Sequence, residues 1–316
     1  MVPVPEPVQA SPAMRLRQVL AGKANESGGW AYYSGKGSRV EPTSWALLAL
    51  ADTWDGEPAA WQRFAAPHLR FLGSTQRDDG LLVDVPHAPP NFTANGVAAC
   101  VLAHLAVGTA SGLSPANDGG KPSVDRLLDG LVGVKGISVN APDPRQDNKL
   151  QGWPWMPDTF SWLEPTCWCV LALKKTRARA RNGVQARIDE ADKLILNRSC
   201  EAGGWNFGNA SALGQDLRPY VPTTALGLIA LQDRRAEAVV GRSLAYLTQA
   251  RVKEPSAMAL ALTALCLRIY DRAADDVEAR LAEDADRAER TGNLQALAML
   301  VYALSATQHG AKALQV

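Results

Sequence analysis

The chain repeats one short phrase, in which a Gly-Trp element and a polar stretch precede a Pro-Thr pair and an apolar segment. Its three copies are Gly29-Trp30 with Pro42-Thr43, Gly152-Trp153 with Pro165-Thr166, and Gly204-Trp205 with Pro222-Thr223. Internal repetition of this kind indicates stacked supersecondary units that bury a continuous core together. The repeat therefore limits the architecture before any single residue is considered.

Extending the repeat along the chain divides it into six strongly apolar segments and six amphipathic ones. The apolar segments are 43–52, 92–106, 165–175, 222–232, 255–270 and 293–305. The amphipathic segments that precede them are 13–22, 59–75, 122–134, 185–199, 236–251 and 276–290. A helix that is apolar on all sides must be enclosed by protein, whereas one with a single apolar face packs against a core from outside.

Six enclosed helices that alternate with six outer helices predict an all-α fold, a closed double ring of the (α/α)6 toroid type. We expect one domain over residues 12–316, because cutting such a ring would expose apolar faces, and a loose tail over residues 1–11. If every inner helix follows its outer partner, all the inner N-termini lie at one end of the ring. The Gly-Trp loops gather at the same end, which is where a functional site is expected.

Charge and composition exclude several classes of protein. The net charge is +1, with 33 basic and 32 acidic residues, so no global field attracts nucleic acid or an anionic membrane. No run of about 18 apolar residues indicates a membrane span, and the N-terminus lacks a secretory pattern. Five cysteines, an odd number, favour reduced thiols and a cytoplasmic protein.

The phrases Glu41-Pro-Thr-Ser-Trp45, Gln76-Arg-Asp-Asp-Gly80 and Gly204-Trp205-Asn206-Phe-Gly carry a family resemblance. They resemble the repeats of squalene–hopene cyclases, other terpenoid cyclases and the β-subunits of protein prenyltransferases. The resemblance covers roughly residues 13–305. It implies the α/α toroid and an apolar barrel that holds an isoprenoid-like molecule, although a fold does not fix a function.

The chain departs from the catalytic motifs of that family. The Asp-x-Asp-Asp acid motif of the proton-initiated cyclases is absent, and so is the Asp-x-Cys pair of the prenyltransferase zinc site. Pro165 stands where the resemblance would place a zinc-binding histidine. A catalytic zinc needs about three protein ligands, so we expect no metal and no cofactor. The Cys-Gly-Glu-Gln motif of thioester domains is also missing.

Three Glu-Pro pairs open predicted inner helices, at Glu41, Glu164 and Glu254. The structural explanation is that proline suits the first helical turn and that an acid there gains about 0.3–1 kcal/mol from the helix dipole. A functional role is favoured most at Glu164, which follows an aromatic run containing Trp155, Asp158 and Trp162. Apolar surroundings can raise the pKa of a carboxyl group into the range of a general acid.

A second polar cluster precedes the fourth inner helix and contains Asn206, Asp216, Arg218 and Tyr220. It could bind the head group of a ligand, with Arg218 placed for a phosphate or carboxylate, or it could be a loop that caps itself. The candidate catalytic residues are therefore Glu164, Asp158 and Asp216. The candidate substrate-binding residues are Trp45, Trp155, Trp162, Trp168, Asn206, Arg218 and Tyr220.

Three classes of function stay open from the sequence. The first is a protein that binds, or transforms without a metal, a hydrophobic isoprenoid-like molecule, with peripheral membrane contact left open. The second is a carbohydrate-active (α/α)6 barrel that uses Glu164 and Asp216, and the third is a non-enzymatic interaction module. The apolar inner helices favour the first class. The substrate, the reaction and the oligomeric state do not follow from the sequence.

Overall fold

The computed structural model describes residues 12–107, 120–140, 143, 145–179, 182–212 and 215–316. The predicted tail over residues 1–11 lies outside this part of the chain. The α-helices are α1 (Pro12–Gly22), α2 (Val40–Asp52), α3 (Pro58–Ser74), α4 (Phe92–Val107), α5 (Val124–Gly133), α6 (Leu163–Lys175), α7 (Val184–Asn197), α8 (Val221–Ala230), α9 (Ala238–Ala250), α10 (Ala257–Ile269), α11 (Asp275–Glu283), α12 (Ala285–Thr291) and α13 (Leu294–His309). The strands β1 (Ser211–Ala212) and β2 (Gln215–Asp216) form one short antiparallel pair.

The prediction of an all-α fold is confirmed, since helices account for nearly all the regular structure in the described residues. The six predicted inner segments correspond to α2, α4, α6, α8, α10 and α13. Each of these helices packs against the next one in chain order, and α13 packs against α2, so that their contacts form a closed cycle. Their side chains form most of the buried core, as expected for helices that are apolar on all sides.

The amphipathic helices pack on the outside of this cycle, each beside one or two inner helices. The sixth predicted outer helix differs from expectation, because it is divided into α11 and α12 at Asp284. The acidic residues Glu283, Asp284 and Asp286 meet at this break. Of these, Glu283 and Asp286 are three positions apart, a spacing at which like charges weaken a continuous helix slightly. The acids of α12 instead pair with Arg15 of α1.

The repeated Gly-Trp element joins three outer helices, α1, α5 and α7, to the inner helices that follow them. The indole N–H groups of Trp30, Trp153 and Trp205 donate to carbonyl oxygens in or just before the last turn of α1, α5 and α7, at 2.8, 2.9 and 2.6 Å. The backbone N–H of each tryptophan donates to a threonine hydroxyl in the first turn of the next inner helix, at 2.9–3.1 Å. The three tryptophans are fully buried. The repeat is thus a structural connector, with every polar group of the buried indole satisfied.

The glycine of this element is required by the same threonine. A Cβ atom on Gly152 would lie 2.2 Å from Thr166 Oγ1, and one on Gly204 would lie 2.5 Å from Thr224 Oγ1. Both distances are shorter than any side chain tolerates. The Gly-Trp element and the threonine in the first turn of the next helix therefore recur together because they contact each other directly; in the third copy this threonine is Thr224, one position after the Pro-Thr pair.

Residues near position 316 pack across the C-terminal ends of the inner helices. Lys175 Nζ donates to the carbonyl of Lys312 at 2.9 Å, and Gln232 Nε2 donates to that of Leu314 at 2.7 Å. The short 3-10 turn Lys312–Leu314 also contacts α4. This end of the helix cycle is therefore covered by the chain itself.

Candidate functional site

A cavity of about 260 Å³ opens among the first turns of five inner helices. Residues of α2, α6, α8, α10 and α13, together with Phe207 from the loop before α8, form its wall. The cavity lies at the end that carries these helix N-termini, which is where the sequence places a functional site. Its surface is mainly apolar, and two carboxyl groups, those of Glu41 and Glu164, interrupt it.

Glu41 is the second residue of α2 and is held in place through both of its oxygens. The Tyr32 hydroxyl donates to Oε2 at 2.9 Å, and Gln295 Nε2 from α13 donates to Oε1 at 2.6 Å. Burial, and after it the charge of the nearby Glu164, raise the pKa of Glu41 to about 7, although the two hydrogen bonds favour the ionised form. A carboxyl group that titrates near neutrality can both donate and accept a proton at physiological pH.

Glu164 is the second residue of α6 and occupies the position in its repeat that Glu41 occupies in the first. Burial raises its pKa, while a hydrogen bond from the Trp155 indole favours the ionised form. The two acids thus line one cavity with their pKa values shifted in the same direction. Such shifts are common at functional sites because sites need groups near their titration point.

Aromatic rings and thioethers supply the apolar wall beside the two acids. Trp45 and Trp168 both line the cavity and meet edge to face, with ring centroids 5.6 Å apart. Met258 and Met299 line it from α10 and α13. Both tryptophans, which the sequence offers as candidate substrate-binding residues, therefore lie in the cavity wall.

The remaining predicted site residues are not brought to this cavity. Asp158 and Arg218 are exposed, and Asp216 is an exposed residue of β2 that pairs with Arg145 rather than with Arg218. Asp158 adopts a left-handed conformation in a turn. These three predicted residues therefore do not join Glu164 in the cavity wall.

Two of those residues have local structural roles. Asn206 is buried, and its Oδ1 accepts the backbone N–H groups of Gly208 and Asn209 at 3.1 and 3.2 Å. Tyr220 directly precedes α8, is 48% exposed and packs against Phe207 with ring centroids 5.3 Å apart. This loop therefore caps itself, which is the structural alternative that the sequence left open.

Trp162 stacks on Trp155, with ring centroids 4.8 Å apart and an interplanar angle of 16°. It lines a separate, half-open cavity of about 320 Å³ between the 137–162 loop and the 208–209 turn. Trp155 is thus the link between this stack and Glu164. Trp155 and Trp162 position the acid site from outside rather than forming its wall.

Sequence reasoning ranked Glu41 below Glu164, although the structure places both in the cavity. The signal was present, because the two glutamates hold the same position in equivalent phrases. Gln295 was missed altogether. It comes from α13, whose first turn carries no Glu-Pro-Thr phrase, so only the packing of α13 against α2 brings it to Glu41.

The cysteines and two of the histidines lie in the core or at the ends of its helices, outside the cavity. All five cysteines are free and buried, and burial raises the pKa of Cys167 and Cys169, which disfavours the nucleophilic thiolate. His68 Nδ1 accepts the Gly29 N–H at 2.9 Å, and burial lowers its pKa to about 4. His104 Nε2 lies 2.8 Å from Asp52 Oδ1 at the ends of α4 and α2. None of these groups belongs to the cavity.

Two kinds of feature are absent from the described residues. No group of three or more His, Cys, Asp or Glu side chains there is arranged to hold a metal ion. No helix in that part of the chain is both long enough and apolar enough to cross a membrane.

Comparison with known proteins adds no functional assignment. No known protein family matches the chain, and no curated protein is similar to it. Among solved structures, it is similar to a crystal structure of a mutant of Salmonella alpha-2-macroglobulin, with 14% sequence identity and a TM-score of 0.49. The similarity covers 93% of this chain but 17% of that protein, and at this level it bears on neither fold nor function.

Proposed function

We propose that this protein binds a small hydrophobic molecule in the cavity at the inner-helix N-termini, with Glu41 and Glu164 contacting the polar end of the molecule. The observation that carries the proposal is the pair of carboxyl groups with raised pKa in a cavity walled by Trp45, Trp168 and methionines. An apolar cavity with a few convergent polar groups is what a small-molecule site requires. Glu41 also provides a proton donor and acceptor near neutral pH.

The proposal includes the architecture and family type suggested by the repeats. The closed cycle of contacts from α2 through α13 supports an (α/α)6 toroid, and the repeated phrase supports a relationship to the terpenoid cyclase and prenyltransferase type. The bound molecule would then be isoprenoid-like. Reaction without a metal, and a cytoplasmic location, stay part of this proposal on the sequence argument alone.

The size of the cavity limits the ligand. A volume of about 260 Å³ is slightly below the range of about 300–1,000 Å³ typical of sites for drug-sized molecules. We therefore propose a short ligand, with one or two isoprene units, rather than a polycyclic one. The carbohydrate-active alternative has less support, because its second acid, Asp216, is exposed and paired with Arg145.

The experiment that tests this proposal is a calorimetric titration of the protein with short isoprenoid alcohols such as geraniol. Leu262→Trp should abolish binding, because Leu262 lines the cavity and an indole would fill it. Val252→Trp is the matched control, since Val252 is 66% exposed and does not line the cavity. Equal binding by both variants, or no binding by the unmodified protein, would refute the proposal. The interaction-module alternative would then be favoured.

A further inference from the structure

The acid pair in the cavity lacks a cationic partner. Of the described residues that line the cavity, none is a lysine, an arginine or a histidine. The charged groups that act on Glu41 are themselves acids, Glu164 and Asp84. Arg39 acts instead on Tyr32 and Asp84.

This absence is unusual for buried carboxyl groups. Buried charges in proteins are normally paired, because removing an ion from water costs several kcal/mol unless an opposite charge offsets the loss. The N-termini of α2 and α6 offset part of it, but a helix dipole contributes only about 0.3–1 kcal/mol per acid. Hydrogen bonds from Tyr32, Gln295 and Trp155 satisfy the oxygens without neutralising them.

The other walls of the cavity suit an organic cation. Trp45 and Trp168 lie beside the two acids, and indole faces attract ammonium groups. The side chains of Leu262, Met258 and Met299 provide apolar surface for a hydrocarbon chain. The cavity thus combines negative charge, aromatic rings and an aliphatic wall, which together match an ammonium group carried on a short hydrophobic chain.

We propose that the ligand of this cavity is a hydrophobic amine in its protonated form, held between the carboxylates of Glu41 and Glu164. This inference rests on the proposed function, because it names the class of molecule that the same cavity binds. The ammonium group supplies the charge that the protein itself does not. Binding should favour ionisation of both glutamates and so release protons in the pH range where Glu41 titrates.

The test compares two probes of equal length, n-hexylammonium and n-hexanol, by calorimetry at pH 8. The amine, whose pKa is similar to that of lysine at about 10.4, is charged at this pH. We expect it to bind at least about tenfold more tightly than the alcohol, a difference of about 1.4 kcal/mol. In the double variant Glu41→Gln with Glu164→Gln, the two probes should bind within about twofold of each other. The exposed Glu201→Gln is the control and should keep the full preference.

A second measurement needs no variant. Lowering the pH from 8 to 5 protonates Glu41 while the amine stays charged, so the preference for hexylammonium over hexanol should shrink in the unmodified protein. The other titratable groups facing Glu41 and its partners are Glu164, Tyr32, Asp84 and Arg39. Of these, Tyr32 keeps its proton between pH 5 and 8, because burial raises its pKa further above its ordinary value.

The outcomes separate this inference from the proposed function. If hexanol binds as well as hexylammonium and Leu262→Trp blocks both, the cavity binds hydrophobic molecules and the amine inference is wrong. If the double variant keeps the preference for the amine, the amine binds elsewhere and the inference is again wrong. If neither probe nor geraniol binds, the proposed function fails as well.

Discussion

Replacing Glu41 with glutamine should stabilise the protein at alkaline pH. The pKa of Glu41 is about 7 in the folded chain, against an ordinary value of 4.5. This difference corresponds to a cost of about 3 kcal/mol for ionising this group in the fold. Partial access to the cavity and the rearrangement of one hydrogen bond in the variant reduce the expected gain to about 1–3 kcal/mol.

The sign of the pH dependence follows from the direction of the shift. Between pH 4.5 and 7 the folded state holds a proton that the unfolded state has released, so stability falls as the pH rises through this window. Above pH 7 both states are ionised and the full cost of the buried carboxylate is present. Glu41→Gln removes that cost, so its advantage should be small near pH 4.5 and largest at pH 8.

Urea unfolding at pH 4.5, 6 and 8, followed by far-UV circular dichroism, measures this difference directly. The matched control is Glu201→Gln, which removes an exposed carboxyl group and should leave the unfolding free energy nearly unchanged at each pH. A gain for Glu41→Gln that does not depend on pH, or a loss of stability at pH 8, would refute the reasoning. Such a result would mean that Tyr32 and Gln295 stabilise the carboxylate more than burial destabilises it.

Three further predictions follow from the connectors and the exposed loop. Gly152→Ala should lower the unfolding free energy by about 1–3 kcal/mol, because its Cβ would overlap the Thr166 hydroxyl. The control Gly133→Ala should not lower it, because a Cβ there meets nothing within 4 Å. Equal effects of the two variants in thermal melts would argue against the contact. The pKa of His68 is lowered to about 4, so below pH 6.5 the unfolded chain binds a proton that the folded chain does not bind. The unfolding free energy should therefore fall by up to about 3 kcal/mol as the pH falls from 6.5 to 4. In His68→Gln this fall, measured by urea unfolding, should be smaller. Asp216→Asn should change the unfolding free energy by no more than about 0.5 kcal/mol and leave ligand binding unchanged. Impaired binding by this variant would mean that Asp216 contacts the ligand.

Helices could be predicted from the sequence far better than side-chain positions. The inner and outer segments are found close to their expected bounds, because their periodicity reflects burial, which is a property of each segment alone. The break at Asp284 was not foreseen, since the apolar pattern continues through it. Asp216 and Arg218 lie outside the cavity wall, which the sequence could not indicate, because a loop's composition does not show which way its side chains face.

Glu164 and Glu41 illustrate both the strength and the limit of reasoning from repeats. Side chains at equivalent positions of a repeat point in equivalent directions. The prediction that Glu164 belongs to the site therefore applies equally to Glu41. Gln295 could not be found in this way, because its role depends on contact between the second helix of the fold and the last. Only long-range packing specifies such a residue.

The hydrogen bond between Gln295 and Glu41 joins residues 254 positions apart. Contacts at such separation form late in folding, because the entropy of closing a long loop must be overcome first. The acid site is therefore assembled only when the last helix docks onto the first repeat, with Leu294 N–H donating to the Tyr32 carbonyl at 2.8 Å. On a growing chain Glu41 would lack its Gln295 partner until α13 had been made. Ligand binding would then report that α13 has docked on α2, so that a partly folded chain with most of its helices in place would still be unable to bind.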